Sequence, residues 1–212
     1  MRTAEDIFRE PEGPEFRQER SRRSYEALLT AAEDLFAVHG YDAIGTPEIA
    51  QKAGVSVGTF YRYFDDKHEV YLEIVRRMMV GAYNETIARL TPEHFVGRAR
   101  HETIAEACSI LFEHVLSRPQ LTRSFMEMSL RDTQVAELRR GFEQLSCQRL
   151  AALIEAITPR ADVADPEAFA YVLYGAAMQC AYGLAVHLVP SSIDRERAHA
   201  ALTAFIERAL FP

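Results

Sequence analysis

The sequence predicts an all-α protein, and three observations predict it. Apolar residues recur at intervals of three and four along most of the 212 residues, no stretch alternates with period two, and the periodic runs break at prolines. A composition of 48% apolar and 26% charged residues is that of an ordinary soluble chain with material for a sizeable core. About nine helices fit the pattern: three short ones in a helix-turn-helix arrangement over 21–66, and a helical body over 67–212. Residues 1–20 read as an N-terminal arm. No internal repeat or low-complexity segment interrupts this organisation.

The first helix carries Leu28, Leu29, Ala32, Leu35 and Phe36 on one face. Next, residues 46–67 read TPEIAQKAGVSVGTFYRYFDDK. The Thr46 hydroxyl can cap a second helix, with Pro47 at the first helical position, where a missing N–H costs nothing. Ile49, Ala50 and Ala53 form its inward face. Gly54 stands where the chain must leave the helix, because a residue without Cβ takes positive φ there freely. Val55 plugs the turn. Ser56 is the natural cap of a third helix expected over Val57–Phe64, with Phe60 and Phe64, four apart, pointing together at the first two helices. Thr59, Arg62 and Tyr63 lie off that stripe, and Tyr61 sits at its margin.

A helix-turn-helix inserts the N-terminal end of its second helix into the DNA major groove, which brings Ser56, Val57, Gly58 and Thr59 nearest the duplex. Hydroxyls and free N–H groups there suit phosphate oxygens, aided by the helix dipole. Gly58 permits close backbone approach. Arg62 is the side chain able to make a forked pair of bonds to guanine O6 and N7, so base reading is assigned to it. Tyr61 and Tyr63 fit phosphate or a thymine methyl, or serve as packing residues.

Residues 40–71, GYDAIGTPEIAQKAGVSVGTFYRYFDDKHEVY, resemble the N-terminal domain of the tetracycline-repressor (TetR) family of transcriptional regulators. The likeness reaches back over the first helix, to about residue 22, and fades near residue 80. It implies DNA contacts from the threonine opening the second helix, the small and hydroxylated residues opening the third, its central tyrosine and the lysine opening the fourth. Those positions are Thr46, Ser56, Gly58, Thr59, Tyr61 and Lys67, with Tyr63 where the family has histidine or tyrosine. It also implies a homodimer joined through its last two helices. The effector is not implied.

Charge pulls the other way, since the chain carries a net −7 and its first 70 residues hold more acids than bases. Distribution resolves this. Arg17, Arg20, Arg22 and Arg23 cluster at the start of the first helix, and Lys52, Arg62 and Lys67 come from the reading unit. A small basic face on an acidic body is expected, with weak non-specific binding and specificity resting on two correctly spaced heads. The arginine cluster is either a solvated arm or a phosphate or minor-groove contact. No apolar run reaches the roughly 18 residues that span a bilayer, and residues 1–16 lack the apolar core of a signal peptide, so a cytoplasmic protein without membrane association is expected. Cys108, Cys147 and Cys180 are an odd number at wide spacing, which fits buried apolar residues better than disulfides, zinc ligands or redox sensors.

A fourth helix is capped by Asp66, with Glu69 three residues on as in a capping box. Its broad apolar face, from Val70 and Tyr71 to Met79 and Ala82, leads into the body. Further helices are expected at about 100–117, 119–130, 132–157, 165–189 and 192–210. The fourth of these is apolar nearly all round, so it needs its own core on one side and something else on the other. Gly175, Gln179, Tyr182 and Val186, with Leu202 and Phe205 of the last helix, are assigned to a dimer interface. Two-fold symmetry would set two reading helices about one DNA turn apart on a near-palindromic operator.

Aromatic and thioether residues between the fourth helix and that interface suggest an effector site. Phe112, Phe125, Met126 and Phe142 are candidates, with Tyr171, Tyr174 and Met178, and His114 to orient a ligand. They favour a small apolar or aromatic effector whose binding shifts the population away from the DNA-bound state, with the fourth helix as connector. The expected function is that of a ligand-responsive regulator, a repressor needing no cofactor or metal. An enzyme is the rival, but no H-E-x-x-H, G-x-S-x-G, Walker loop or G-x-G-x-x-G occurs. An all-helical adaptor for another protein leaves the hydroxyls and Arg62 at one short helix unexplained.

Overall fold

The computed structural model describes residues 19–96, 99–159, 163–186 and 192–211. Among them are nine α-helices and no strand: α1 Glu19–His39, α2 Thr46–Lys52, α3 Val57–Phe60, α4 Lys67–Glu85, α5 Ala99–Leu116, α6 Pro119–Arg131, α7 Thr133–Ile157, α8 Pro166–Ala185 and α9 Arg195–Leu210. Two 3₁₀ turns, Ile87–Arg89 and Pro92–Phe95, follow α4. Arg17 and most of the arm expected over 1–20 lie outside the described residues, as do 187–189 at the expected end of α8.

Compactness parts the chain into two units, 1–80 with 118–141, and 81–117 with 142–212. These compact units divide the chain elsewhere than the expected boundary at residue 66. The physical reason is that α6 buries Leu121, Phe125 and Met128 in the first unit, where it packs on α1. Polar ties hold it there as well. The Tyr71 hydroxyl meets Ser124 Oγ at 3.2 Å, Arg118 pairs with Glu33 at 2.8 Å, and His68 Nε2 lies 2.8 Å from Asp132 Oδ2.

In the first unit α1 contacts α2, and α2 contacts α3, around a core of Leu28, Phe36, Ile49, Phe60, Phe64 and Tyr71. Gly40 and Gly54 take φ of +79° and +69°, ending α1 and α2 where a side chain would be strained. The amide of Val55 then reaches back to Ala50 O at 3.0 Å and closes the turn. α4 starts as the capping residues dictate: Asp66 accepts from the Glu69 amide at 2.9 Å, while the Glu69 carboxylate accepts from the Asp65 amide rather than from that of Asp66.

In the second unit α5 packs on both α8 and α9, which also touch each other. Their core includes Ile104, Phe112, Ile154, Ala170, Leu202 and Ile206. α8 is caped by Asp165, whose carboxylate accepts from the Ala168 amide at 3.0 Å, and Pro166 occupies its first turn. Its mean hydropathy of 1.2 is that of a membrane span by length and composition alone, contrary to the expectation that no run reaches that length. Only 39% of that window is buried within the chain.

Candidate nucleic-acid interface and apolar cavity

α3 is shorter than the expected Val57–Phe64. It ends at Phe60, because the next amides bond three residues back: Arg62 to Thr59 O at 3.3 Å and Tyr63 to Phe60 O at 2.9 Å. The tighter winding still buries Phe60 and Phe64, the latter stacked at 5.0 Å on Tyr25. Ser56 caps α3 as its position implies, its Oγ accepting from the Thr59 amide at 3.1 Å and lying 2.9 Å from Thr59 Oγ1.

Thr46 behaves differently from its expected part as a cap. Gly45 occupies the cap position, where its amide donates to Glu48 Oε2 at 3.1 Å, and Pro47 stands at the second helical residue. The Thr46 hydroxyl is thus free to pair with the Tyr61 hydroxyl at 3.2 Å, linking α2 to the end of α3. Tyr61 is 55% exposed. Two hydroxyl pairs, Thr46 with Tyr61 and Ser56 with Thr59, therefore flank exposed Val57 and Gly58. A Cβ built on Gly58 would meet nothing nearer than Ser56 Oγ at 3.8 Å, so the chain itself leaves room that only an approaching partner would need.

Arg62 is exposed, and among the described residues no carboxylate pairs with it. That matters in an acidic unit. Arg118 and Lys52 hold Asp34 and Glu33, Arg131 holds Asp42 at 2.8 Å, and Arg77 bridges Glu26 and Glu73 at 2.6 and 2.7 Å. Burial pushes the Glu73 carboxyl up, but the hydrogen bonds from Arg76 and Arg77 outweigh it and hold the group below the usual range. These carboxylates have internal counterions, and the Arg62 fork keeps its charge available to a partner.

Two assigned residues stand apart from this surface. Lys67 Nζ donates to Tyr41 O at 2.9 Å and Ile44 O at 2.7 Å and lies 4.4 Å over the Tyr41 ring, so it ties down the loop before α2. Tyr63 is half-buried, edge-on to Tyr25 at 6.0 Å. Of the arginine cluster, Arg22 and Arg23 both bond Glu19, whereas Arg20 has no carboxylate partner among the described residues.

The second unit contains a cavity of about 110 Å³. α5 contributes Ile104, Cys108 and Leu111, and α7 contributes Leu150, Leu153 and Ile154. Tyr174 and Met178 of α8 also line it, so these two of the assigned ligand residues meet there. The others do not. Phe142 packs behind Tyr174, ring to ring at 6.4 Å; Phe112 is fully buried against His199; and His114 bonds Glu85 at 3.0 Å. Tyr171 is 62% exposed on the far face of α8, and Phe125 and Met126 belong to the first unit.

The cavity is aliphatic where the sequence suggested aromatic, and its few polar groups are already committed. Thr86 donates to Ala82 O and Thr103 to His94 O at 2.8 Å. Burial pushes the Cys108 thiol up to about 11, which keeps it protonated. The lining positions on α5 were visible as a helix face, but no sequence signal separates a wall facing a void from one facing core. Among the described residues no three metal-ligating side chains gather.

The residues assigned to a dimer interface divide in the same way. Gly175 and Gln179 are exposed, Phe205 is 49% exposed, and exposed Tyr171 and Val172 extend their surface. Tyr182 and Val186 are half-buried, and Leu202 lies inside its own unit's core.

Residues 28–74 match the family model of bacterial regulatory proteins, tetR family. The transcriptional activator FasR of Mycolicibacterium smegmatis is 46% identical over 50 residues, 24% of this chain and 23% of that protein, so the chain spans less than a quarter of this relative's length. The solved structure of a transcriptional regulator from Rhodococcus sp. Rha1 superposes with a TM-score of 0.67 at 23% identity, covering 87% of this chain and 95% of that one. The SmeT–triclosan complex does so at 0.62 and 21% identity, covering 88% and 90%. At these identities the structures establish a shared fold, and the matched reading domain carries the relationship. The family model thus covers the helix-turn-helix unit over 28–74, and the chain as a whole shares the fold of those regulators.

Proposed function

We propose that this protein is a transcriptional regulator, a repressor that binds a near-palindromic operator as a homodimer and is released by a small apolar effector in the cytoplasm. The observation that carries the reading is the exposed Arg62 guanidinium just past α3, unpaired with any described carboxylate, with one hydroxyl pair at the opening of that helix and another at its end. A fork able to grip one guanine, flanked by hydroxyls suited to phosphate, is what a major-groove reader requires. The cavity supports the ligand side, as does the triclosan held by SmeT. Its walls offer no charged acid or base, and its thiol is held protonated, which suits binding rather than catalysis.

The exposed strip of Tyr171, Val172, Gly175 and Phe205 supports pairing through α8 and α9, since apolar surface of that kind gains by meeting a copy of itself. α4 and α7 each run unbroken through the positions where the chain passes from one unit to the other. A ligand acts on operator affinity only by its differential binding to the two states, so a coupling of about 1–3 kcal/mol lowers affinity roughly 5- to 150-fold. Fluorescence-anisotropy titration of the full chain against duplex DNA from upstream of its own gene tests this. Saturable binding to one palindromic segment as a dimer, weakened by salt, is expected; equal affinity for every duplex, or binding as a monomer, refutes it.

A further inference from the structure

Arg149 of α7 donates from Nη2 to the carbonyl of Leu90 at 3.3 Å, and Leu90 lines the cavity. Leu150, the next residue, lines it too. The guanidinium has five N–H donors, and this one contact to a neutral oxygen is its described bond. No carboxylate pairs with it among the described residues, and the same holds for Arg89, which precedes Leu90. Two other arginines of the unit do find carboxylates: Arg195 meets Glu113 at 3.1 Å and Arg100 meets Glu207 at 3.7 Å. Burial raises the pKa of the Tyr83 phenol, and the charge of Arg149 partly offsets it, which puts the guanidinium close to the end of α4 as well.

An apolar void and an under-used cation at its edge are the two halves of one recognition problem. Resting on the reading of the cavity as the effector site, we infer that the ligand is an anionic amphiphile, its aliphatic tail among Ile104, Leu111 and Ile154 and its head on Arg149. A carboxylate or phosphate head would replace water on a planar fork, giving paired charge-assisted bonds. A neutral head gains less. A cationic head meets the guanidinium's repulsion and no described carboxylate in the walls.

Isothermal titration of the full chain with octanoate, octyl phosphate, 1-octanol and octyltrimethylammonium tests this. Octanoate or octyl phosphate should bind at least about fivefold more tightly than octanol, the scale of a partly exposed ionic bond, with the ammonium weakest; the tighter anion identifies the head. Arg149→Gln should bring the anions to the level of octanol and leave octanol unchanged. Equal binding of anion and alcohol, or a preference that survives Arg149→Gln, overturns the proposal. Cys108→Phe, which fills the cavity, separates the two levels: if it abolishes octanol binding while no anion preference exists, the cavity reading stands and the head-group assignment falls. If none of the four binds, or if Cys108→Phe leaves binding intact, both fall.

Discussion

The two units treat their polar groups in opposite ways. The first holds hydroxyls and a guanidinium outward on a few residues of α2, α3 and the turn after it, pairs the hydroxyls among themselves, and pairs Glu26, Glu33, Asp34, Asp42 and Glu73 with its own cations. The second commits the threonines of its cavity to backbone carbonyls and presents a hydrocarbon wall. One surface is selective by hydrogen bonds, the other by shape and by what stands at its edge. On the proposed function, specificity for a base belongs to the first surface and tolerance for a greasy ligand to the second.

Cutting each core shows whether the units are also separate in stability. Phe60→Ala and Phe112→Ala each remove a fully buried ring and should each cost about 3–5 kcal/mol. In urea unfolding, with α3 and cavity behaviour followed separately, Phe60→Ala should abolish operator binding while ligand binding survives, and Phe112→Ala should weaken ligand binding more. If both variants lose both activities together, the chain unfolds as one unit and the contrast fails.

Arg62→Ala tests the reading surface alone. Its side chain is exposed, so stability should hold, while discrimination at one base position per half-site falls by about 1–3 kcal/mol. Competition titrations with single-base operator variants measure it. Gly58→Ala should act in the opposite direction on folding: the open space around Gly58 admits a methyl group, so stability holds or rises by about 0.5–1 kcal/mol, yet operator binding weakens because the groove wall comes close. Unchanged DNA affinity in this variant would remove Gly58 from the interface.

The smallest expected difference lies at high pH. Burial pushes Tyr25 and Tyr71 of the first unit up to about 12, and Cys108 of the second up to about 11. Groups whose folded pKa is raised contribute stability that is complete below their ordinary values, about 10 for the phenols and 9 for the thiol, and lost as pH rises through the folded ones. Thermal melts should therefore show losses removable by Tyr25→Phe between pH about 10 and 12, and by Cys108→Ser starting near 9.

What the sequence made legible follows the same division. Gly54, Ser56, Phe60 and Phe64 each do what their spacing demands, because caps, turns and i,i+4 contacts are local. The pairing of Thr46 with Tyr61 is not legible in the sequence, since that bond spans 15 positions. The tie of Lys67 is hidden from the sequence for the same reason, its ammonium meeting carbonyls 23 and 26 residues away. The cavity was legible least. Phe125 and Tyr174 both lie on apolar helix faces, and only the assignment of α6 to the first unit puts one in a core and the other on a cavity wall.

Selection of binding sites from a pool of random duplexes, run side by side with wild type and Arg62→Ala, tests the central claim most directly. A palindromic site with one guanine per half-site that the wild type requires and the variant no longer distinguishes is the predicted result. The same guanine enriched by both proteins, or no enriched site at all, would contradict it.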